Sequence, residues 1–504
     1  MRTHLHSHPD QRPAQRLGLR RFNFPLIARL TGVLLIYLAF SLVLPLVVSL
    51  LYHDGAQFSI LVSAMLILMT GLFLRNIVGR RATFDLKETE SYWFTTIIWL
   101  VLPLCGTLPY LISGSLGTLT DALFESFSGY TTTGSSILSR PEELPPSLLV
   151  YRSFTQWVGG IGFMLFVVAI LRKLGVGGEQ LYEAEFSGTR QRKLHPRLSK
   201  SVTRLFTIYT LLTVVMLVLL LLGGTPLFQS LCLAFSTVST GGFVPCSTGI
   251  ATLSPGAIVI VTLFMVLSGI SLAQLYHLFT FRWKGHWRDE ELWTYLAIFA
   301  VMVLISTGAF TSAGNDILSS LSYSLFHIAS TMSSCGYYLP KPTHWSFLVS
   351  VLTFLLILMG ASAGSTGGGI KIFRVITISK YISNYFTHMI HPNAVTCVKV
   401  GSRVVEDDYI NKTFAFVFLY LAFICGGAFI LTLCGSTIPD AVCMAAANIS
   451  NLGPSPLINN LGGALDYALL PPLAKWTLAL LMVAGRIELF ALIAIFSPAY
   501  WRRG

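Results

Sequence analysis

Ionic side chains are scarce in this chain: they make up 11% of its 504 residues, against ~25% in an ordinary soluble domain. Hydrophobic residues reach 54% and mean hydropathy is +0.69. That shortage of polar surface excludes a water-soluble fold and points to a bilayer. Cysteine chemistry is missing too. The eight cysteines contain no C-x-x-C pair and no Cys/His cluster at ligand spacing, so neither a disulfide framework nor a zinc site is expected. Cys105, Cys232, Cys425, Cys434 and Cys443 fall inside apolar runs, where cysteine acts as a small buried hydrophobe. The three alternating histidines of MRTHLHSHPD are read as part of a polar tail. No small-residue cleavage site follows the basic start, so the first apolar run reads as an anchor and not a signal peptide. No paired His/Asp/Glu or Ser/Lys constellation lies within the apolar runs. No enzyme activity and no bound organic cofactor are expected.

What the chain has in quantity is apolar runs of spanning length. Ten are placed, near 25–51, 57–74, 93–113, 150–171, 204–223, 255–280, 292–310, 346–378, 413–434 and 473–496. Each offers the ~20 residues needed to cross the hydrocarbon core. The net charge of +12 could suggest nucleic acid, but the basic residues sit in short loops between runs, as the positive-inside rule requires. Of 34 Lys and Arg, 29 fall on the side of both termini, which places the termini in the cytoplasm and leaves no role for nucleic acid. Arg140, Arg152, Lys341 and Lys475 fall on the opposite side, and Arg486 lies within the last run.

Four opposite-side linkers align without gaps: DALFESFSGYTTTGSS (121–136), QSLCLAFSTVSTGGFV (229–244), YSLFHIASTMSSCGYY (323–338) and DAVCMAAANISNLGPS (440–455). Each begins with two to three turns of apolar helix and passes into Ser, Thr, Asn and Gly, with Gly134, Gly242, Gly336 and Gly453 in register. The unit is span, short helix, glycine loop, span, four times over, with two spans standing before it. Irregular backbone at membrane depth survives only when buried in protein or lining a watery cavity. Four such loops in one orientation can converge on an axis, where glycines let carbonyls face inward and rings of carbonyls replace the hydration shell of a cation. The short helices would aim partly negative C-terminal ends at that axis. Asp121, Glu125 and Asp440 would draw cations to the mouth. The competing reading, that these are small-residue helix-packing motifs, fits one loop better than four in register.

GASAGSTGGGIK (360–371) interrupts the eighth run. Gly364 to Gly369 has the step of a phosphate-binding loop, but Ile370 displaces Lys371 and Ile372 offers no hydroxyl for Mg²⁺. Glycines at 360, 364, 367, 368 and 369 unwind a helix at about 1 kcal/mol each relative to Ala, so a loop is expected here. Arg486 is a costly charge in mid-span and a functional candidate by default. The plainer reading is an ion pair, for which Glu488, two residues on, lies on the wrong helix face. Gly159, Gly160 and Gly162, and Ser268, Gly269 and Ser271, are read as sites of close helix approach, and His277 and His327 as satisfied interior histidines.

TTTGS, STGGF, SCGY and NLGP, in that order, resemble the four filter loops of the Trk/Ktr/HKT superfamily of potassium transporters. LPPSLLVYRSFTQWVGGIGF (144–163), LGVGGEQLYEAE (174–185), AFSTVSTGGF (234–243), GSTGGGIK and AGRIE (484–488) narrow the likeness to the bacterial TrkH type. The resemblance implies an all-α integral membrane protein with four M1–pore helix–filter loop–M2 repeats around a pseudo-fourfold pore, plus two extra N-terminal spans. The expected divisions are a cytoplasmic tail (1–24), the extra spans (25–91) and repeats at 92–174, 175–280, 281–380 and 381–504. It implies K⁺ uptake across the bacterial inner membrane. The K⁺ filter would comprise Thr131, Thr132, Thr133 and Gly134; Ser239, Thr240, Gly241 and Gly242; Ser333, Ser334, Cys335 and Gly336; and Ser450, Asn451, Leu452 and Gly453. The third loop reads SSCG where the family often has TTTG. The resemblance also implies gating by Gly364, Ser365, Thr366, Gly367, Gly368, Gly369 and Lys371 together with Arg486. A homodimer in membrane lipid is implied, with a TrkA-like nucleotide-binding ring docked on the face that includes loop 172–204. A proton- or sodium-coupled carrier working by alternating access remains the other reading, although such carriers more often use inverted repeats.

Overall fold

The computed structural model describes residues 23–81, 88–162, 198–280, 289–339, 346–393, 396–401, 403–454, 467–489 and 492–493. Residues 1–22 of the expected N-terminal tail, residues 172–197 of the basic loop, Lys341 and the extreme C-terminus lie outside them. The described chain is helical apart from one antiparallel pair, β1 (Lys399–Val400) with β2 (Arg403–Val404).

Among the described residues, six helical stretches are long and apolar enough to cross a membrane: Phe24–Tyr52, Gln57–Arg80, Glu90–Ser113, Thr203–Leu222, Glu290–Ser312 and Asp407–Leu433. The first comprises α1 (Phe24–Ser41) and α2 (Val43–Tyr52), and the second contains α3 (Gln57–Asn76). The third comprises α4 (Glu88–Gly106) and α5 (Leu108–Ser113). Four shorter helices come from the aligned linkers, where helical turns ending in loops were expected: α6 (Leu119–Tyr130), α9 (Leu227–Val238), α13 (Ile317–Met332) and α17 (Ile438–Ile449). Their starts follow from local chemistry. Thr118 and Thr437 accept from the amides of Asp121 and Asp440, and Asp316 accepts from those of Leu318 and Ser319. Each such cap contributes about 1 kcal/mol.

Three of the remaining runs differ from the expectation of continuous spans, while the eighth breaks where a loop was expected. Between α8 (Leu198–Leu222) and α12 (Glu290–Ser312), the run 255–280 is a pair, α10 (Pro255–Ser268) and α11 (Leu272–Phe279), bent by 112°. Helix α7 (Pro146–Trp157) passes into a π-turn over Val158–Gly162 in which Gly160 is non-helical. Helices α14 (Phe347–Met359) and α15 (Ile372–Ile390) are parted by the glycine-rich loop. After α16 (Asp407–Leu433), α18 (Pro472–Arg486) ends at Arg486, ahead of the left-handed pair Glu488 and Leu489. Each aligned linker is therefore followed by a broken helix, and the breaks after the first, third and fourth lie against short-helix ends. A Cβ on Gly159 would overlap the Tyr130 carbonyl, and one on Gly485 the Ile449 carbonyl. Of the glycines expected to permit close approach, Gly159, Gly160 and Gly269 do so, and the helices break at the same places.

Candidate functional site

The four short helices end in the same way. In the first, the amide of Thr132 donates to the Gly129 carbonyl (3.0 Å) and that of Thr133 to Ser128 (2.9 Å). Thr240 and Gly241, Ser334 and Cys335, and Asn451 and Leu452 repeat this pattern at 2.7–3.2 Å. These are Schellman closures, in which the residue just past the helix is left-handed and is ordinarily Gly. Here it is Thr132 (φ 55°), Thr240 (56°), Ser334 (62°) and Asn451 (52°). A β-branched residue in that region is an outlier, so the surrounding structure must hold it. The in-register glycines follow two residues on, also left-handed, with φ from 73° to 83°.

The loops close on one another. A Cβ on Gly134 would overlap the Gly241 carbonyl, one on Gly242 the Cys335 carbonyl, one on Gly336 the Leu452 carbonyl, and one on Gly453 the Thr133 carbonyl. The chain of contacts returns to its start, so the four loops that carry the residues expected in the filter close one ring. Side chains link neighbours around it: Asn451 Nδ2 to Thr133 Oγ1 (2.9 Å), Ser135 to Asn448 (2.8 Å) and Thr237 to the Tyr337 hydroxyl (3.2 Å). Cys335, buried, directs its Sγ to the Thr237 carbonyl. On the opposite-side face of the ring is a cavity of about 300 Å³ lined by Gly134, Gly242, Gly336, Arg152 and Tyr467.

The carboxylates expected at the mouth are engaged locally. Glu125 is fully buried, ion-paired with Arg152, and accepts from Ser136 and the Ile137 amide. Asp121 pairs with Lys475 at 2.6 Å, and Asp440 accepts from the Thr437 hydroxyl.

Under the ring, the loop 360–371 is folded on itself and seated against three of the four short-helix ends. Thr366 Oγ1 reaches the Val238 carbonyl, Gly367 has room for no more than hydrogen beside the Ser333 carbonyl, and Gly368 abuts the Ser450 carbonyl. Ser362 N and Gly364 O bond to Gly269 and Leu272 at the α10/α11 bend, and Ala363 N donates to Glu291 Oε1 (2.6 Å). Arg486 crosses beneath. Its Nη1 donates to the Thr366 carbonyl (2.9 Å) and Nη2 to those of Gly159 (2.7 Å) and Gly160 (2.8 Å). Glu488 serves other cations, Lys371 Nζ at 3.0 Å and Arg374 at 2.6 Å. One turn of chain thus joins the breaks of the first, third and fourth repeats, and the loop joins the second. Among the described residues there is no group of three or more His, Cys, Asp and Glu placed to hold a metal ion. His327 is buried, bonded to Thr353 Oγ1 (2.8 Å) and stacked on Tyr323. His277 sits edge-on to Tyr276.

Sequence reading missed three participants: Gln156, Glu291 and the pairing of Glu488. Arg152 and Gln156, polar residues one turn apart within an apolar run, carried a signal, since such residues in a span face protein.

Residues 67–503 match the TrkH family, described as cation transport protein. The potassium uptake protein TrkH of Salmonella typhimurium is 34% identical over 490 residues, 95% of this chain and 100% of that protein. TrkG of Escherichia coli is 28% identical over 481 residues, 94% and 98% of the two chains. The crystal structure of the potassium transporter TrkH from Vibrio parahaemolyticus superimposes with a TM-score of 0.84 at 28% identity, covering 95% of this chain and 100% of that one. These relatives are ion transporters by name and not enzymes, in line with the expectation from sequence. The chain belongs to the TrkH family of cation transport proteins.

Proposed function

We propose that this chain carries K⁺ into the bacterial cell across the inner membrane, with the ring of four loops as its selectivity filter and the loop 360–371 with Arg486 as its gate. The observation that carries the reading is the closed circuit of loop contacts from Gly134 round to Thr133. Left-handed residues at two positions of each loop turn the peptide planes, so that carbonyls can line an axis and take the place of water around a monovalent cation. The four short helices bring their C-terminal dipole ends to the same place, which favours positive charge.

Arg486 and the loop occupy the path under that ring. A guanidinium fixed to three carbonyls there opposes a cation by charge, and the loop blocks it by volume. Opening moves both. The membrane potential drives entry with ~2.3 kcal/mol per charge per 100 mV, so no coupled ion is needed. The reading also takes both termini as cytoplasmic, the chain as a homodimer, and a TrkA-like nucleotide-binding ring as its regulator.

The test is Rb⁺ and Na⁺ flux into proteoliposomes with and without a pH gradient, alongside Arg486→Ala and Gly336→Ser. Passive flux favouring Rb⁺, raised by the first change and made less selective by the second, is expected. Flux that needs a proton gradient and ignores both changes would overturn the pore in favour of a coupled carrier.

A further inference from the structure

Helix α7 carries Arg152 and Gln156 on one face, four residues apart, and both reach into the next repeat's loop. The Gln156 carboxamide straddles Gly242: Nε2 donates to the Gly241 carbonyl (2.6 Å) and Oε1 accepts from the Phe243 amide (3.1 Å). Arg152 Nη1 donates to the Val244 carbonyl at 3.0 Å, and its guanidinium lies 3.5 Å from the centre of the Phe243 ring. The same guanidinium is ion-paired with Glu125 on α6, which accepts from the Ile137 amide just past the first loop. Gln156 is fully buried and Arg152 is 2% exposed, so water cannot replace these bonds.

A carboxamide offers a donor and an acceptor in one plane, as a peptide group does. Gln156 therefore stands in for a neighbouring strand along residues 241–243. The contact is also close: a Cβ on Gly241 would overlap the Gln156 carboxamide where it now lies. The carbonyl Gln156 holds is the one that abuts Gly134 of the first loop.

We propose that Gln156, supported by Arg152, is a positioning residue for ion selection, fixing the Gly241 carbonyl and with it the spacing between the first and second loops. It touches no ion and acts through the backbone it holds. The inference rests on the filter reading above.

Gln156→Glu keeps the shape and the acceptor for Phe243 but loses the donor to Gly241. Gln156→Met keeps the volume and loses both bonds. Each is purified, its thermal midpoint in detergent is measured, and Rb⁺ and Na⁺ fluxes are compared in proteoliposomes, with Gly336→Ser as reference. The expected result is a Rb⁺/Na⁺ ratio lowered about fivefold in Gln156→Glu, the equivalent of one lost buried hydrogen bond, and by at least as much in Gln156→Met. Either variant keeping the wild-type ratio while Gly336→Ser lowers it would overturn the role of Gln156 and leave the filter standing. A ratio unmoved in all three, Gly336→Ser included, would overturn the filter reading itself. A lowered thermal midpoint with an unchanged ratio would make Gln156 merely structural and also overturn the inference.

Discussion

The Arg486 guanidinium donates to the backbone carbonyl of Thr366 across 2.9 Å, binding the end of the last span to the middle of the glycine-rich loop. Neither side chain is a charge partner of the other. The bond exists because two broken helices meet under the ring, one exposing a carbonyl and the other ending in a cation. Its donors fit a planar fork and not a point charge. Arg486→Lys keeps the charge but cannot serve Thr366, Gly159 and Gly160 together. Basal Rb⁺ uptake should rise in the Lys variant by less than in Arg486→Ala. Equal uptake in wild type and Lys variant would show that charge alone closes the path.

Glu488 should act as a lock beside that arginine. Its side chain is 8% exposed and pairs with both Lys371 and Arg374, so Glu488→Gln leaves two cations without their anion. Removing one partner of a buried pair costs about 3–5 kcal/mol. A lower thermal midpoint with raised basal Rb⁺ uptake is expected. A lower midpoint with unaltered uptake would separate the pair from the gate.

Gly453→Ala meets two obstacles, a left-handed backbone (φ 83°) and the Thr133 carbonyl. Conformation alone costs about 1–2 kcal/mol before any clash. Gly256, at the start of α10, has nothing within 4 Å of an added Cβ. Gly256→Ala should leave flux and thermal midpoint near wild type, whereas Gly453→Ala should lose Rb⁺ selectivity. Matching behaviour in the two variants would contradict the circuit of loop contacts.

Asp54, in the turn between α2 and α3, accepts from the Ser147 amide (2.8 Å) at the start of α7 and from the Ala56 amide (3.1 Å). Burial pushes its carboxyl up, but hydrogen bonds from Ser147, Ser49 and Ala56 outweigh burial and hold it below the ordinary carboxylate value. A carboxyl depressed on folding stabilises above its unfolded value, and that stability is lost as pH falls through the folded one. Stability in detergent should therefore decline below about pH 4, and more shallowly in Asp54→Asn. Asp54→Ala should cost about 1 kcal/mol at neutral pH, the worth of a helix cap. Parallel pH profiles for wild type and Asp54→Asn would remove Asp54 from the account.

The sequence by itself determined the class and the alignment of four linkers. Apolar runs of spanning length need no tertiary information, because hydrocarbon accepts only backbone that bonds within its own helix. Gly134, Gly242, Gly336 and Gly453 could be aligned because each must be left-handed, and glycine meets that need at no steric cost. The loop at 360–371 was legible for a similar reason, since glycines at that density do not hold a helix.

Tertiary structure decided what composition cannot encode. Thr132, Thr240 and Ser334 carry no mark of a left-handed backbone, and only closure against neighbouring loops holds them there. The breaks of α7 and α18 were invisible in hydropathy, because a span that stops at a carbonyl above it is as apolar as one that continues. Glu125, Asp121 and Asp440 were placed on the aligned linkers and expected to draw cations, but their local partners Arg152, Lys475 and Thr437 were not legible in the sequence. Gln156 was passed over for the same cause: what a polar side chain in a span bonds to is fixed by which backbone the fold brings within 3 Å of it, here one from 85 residues away.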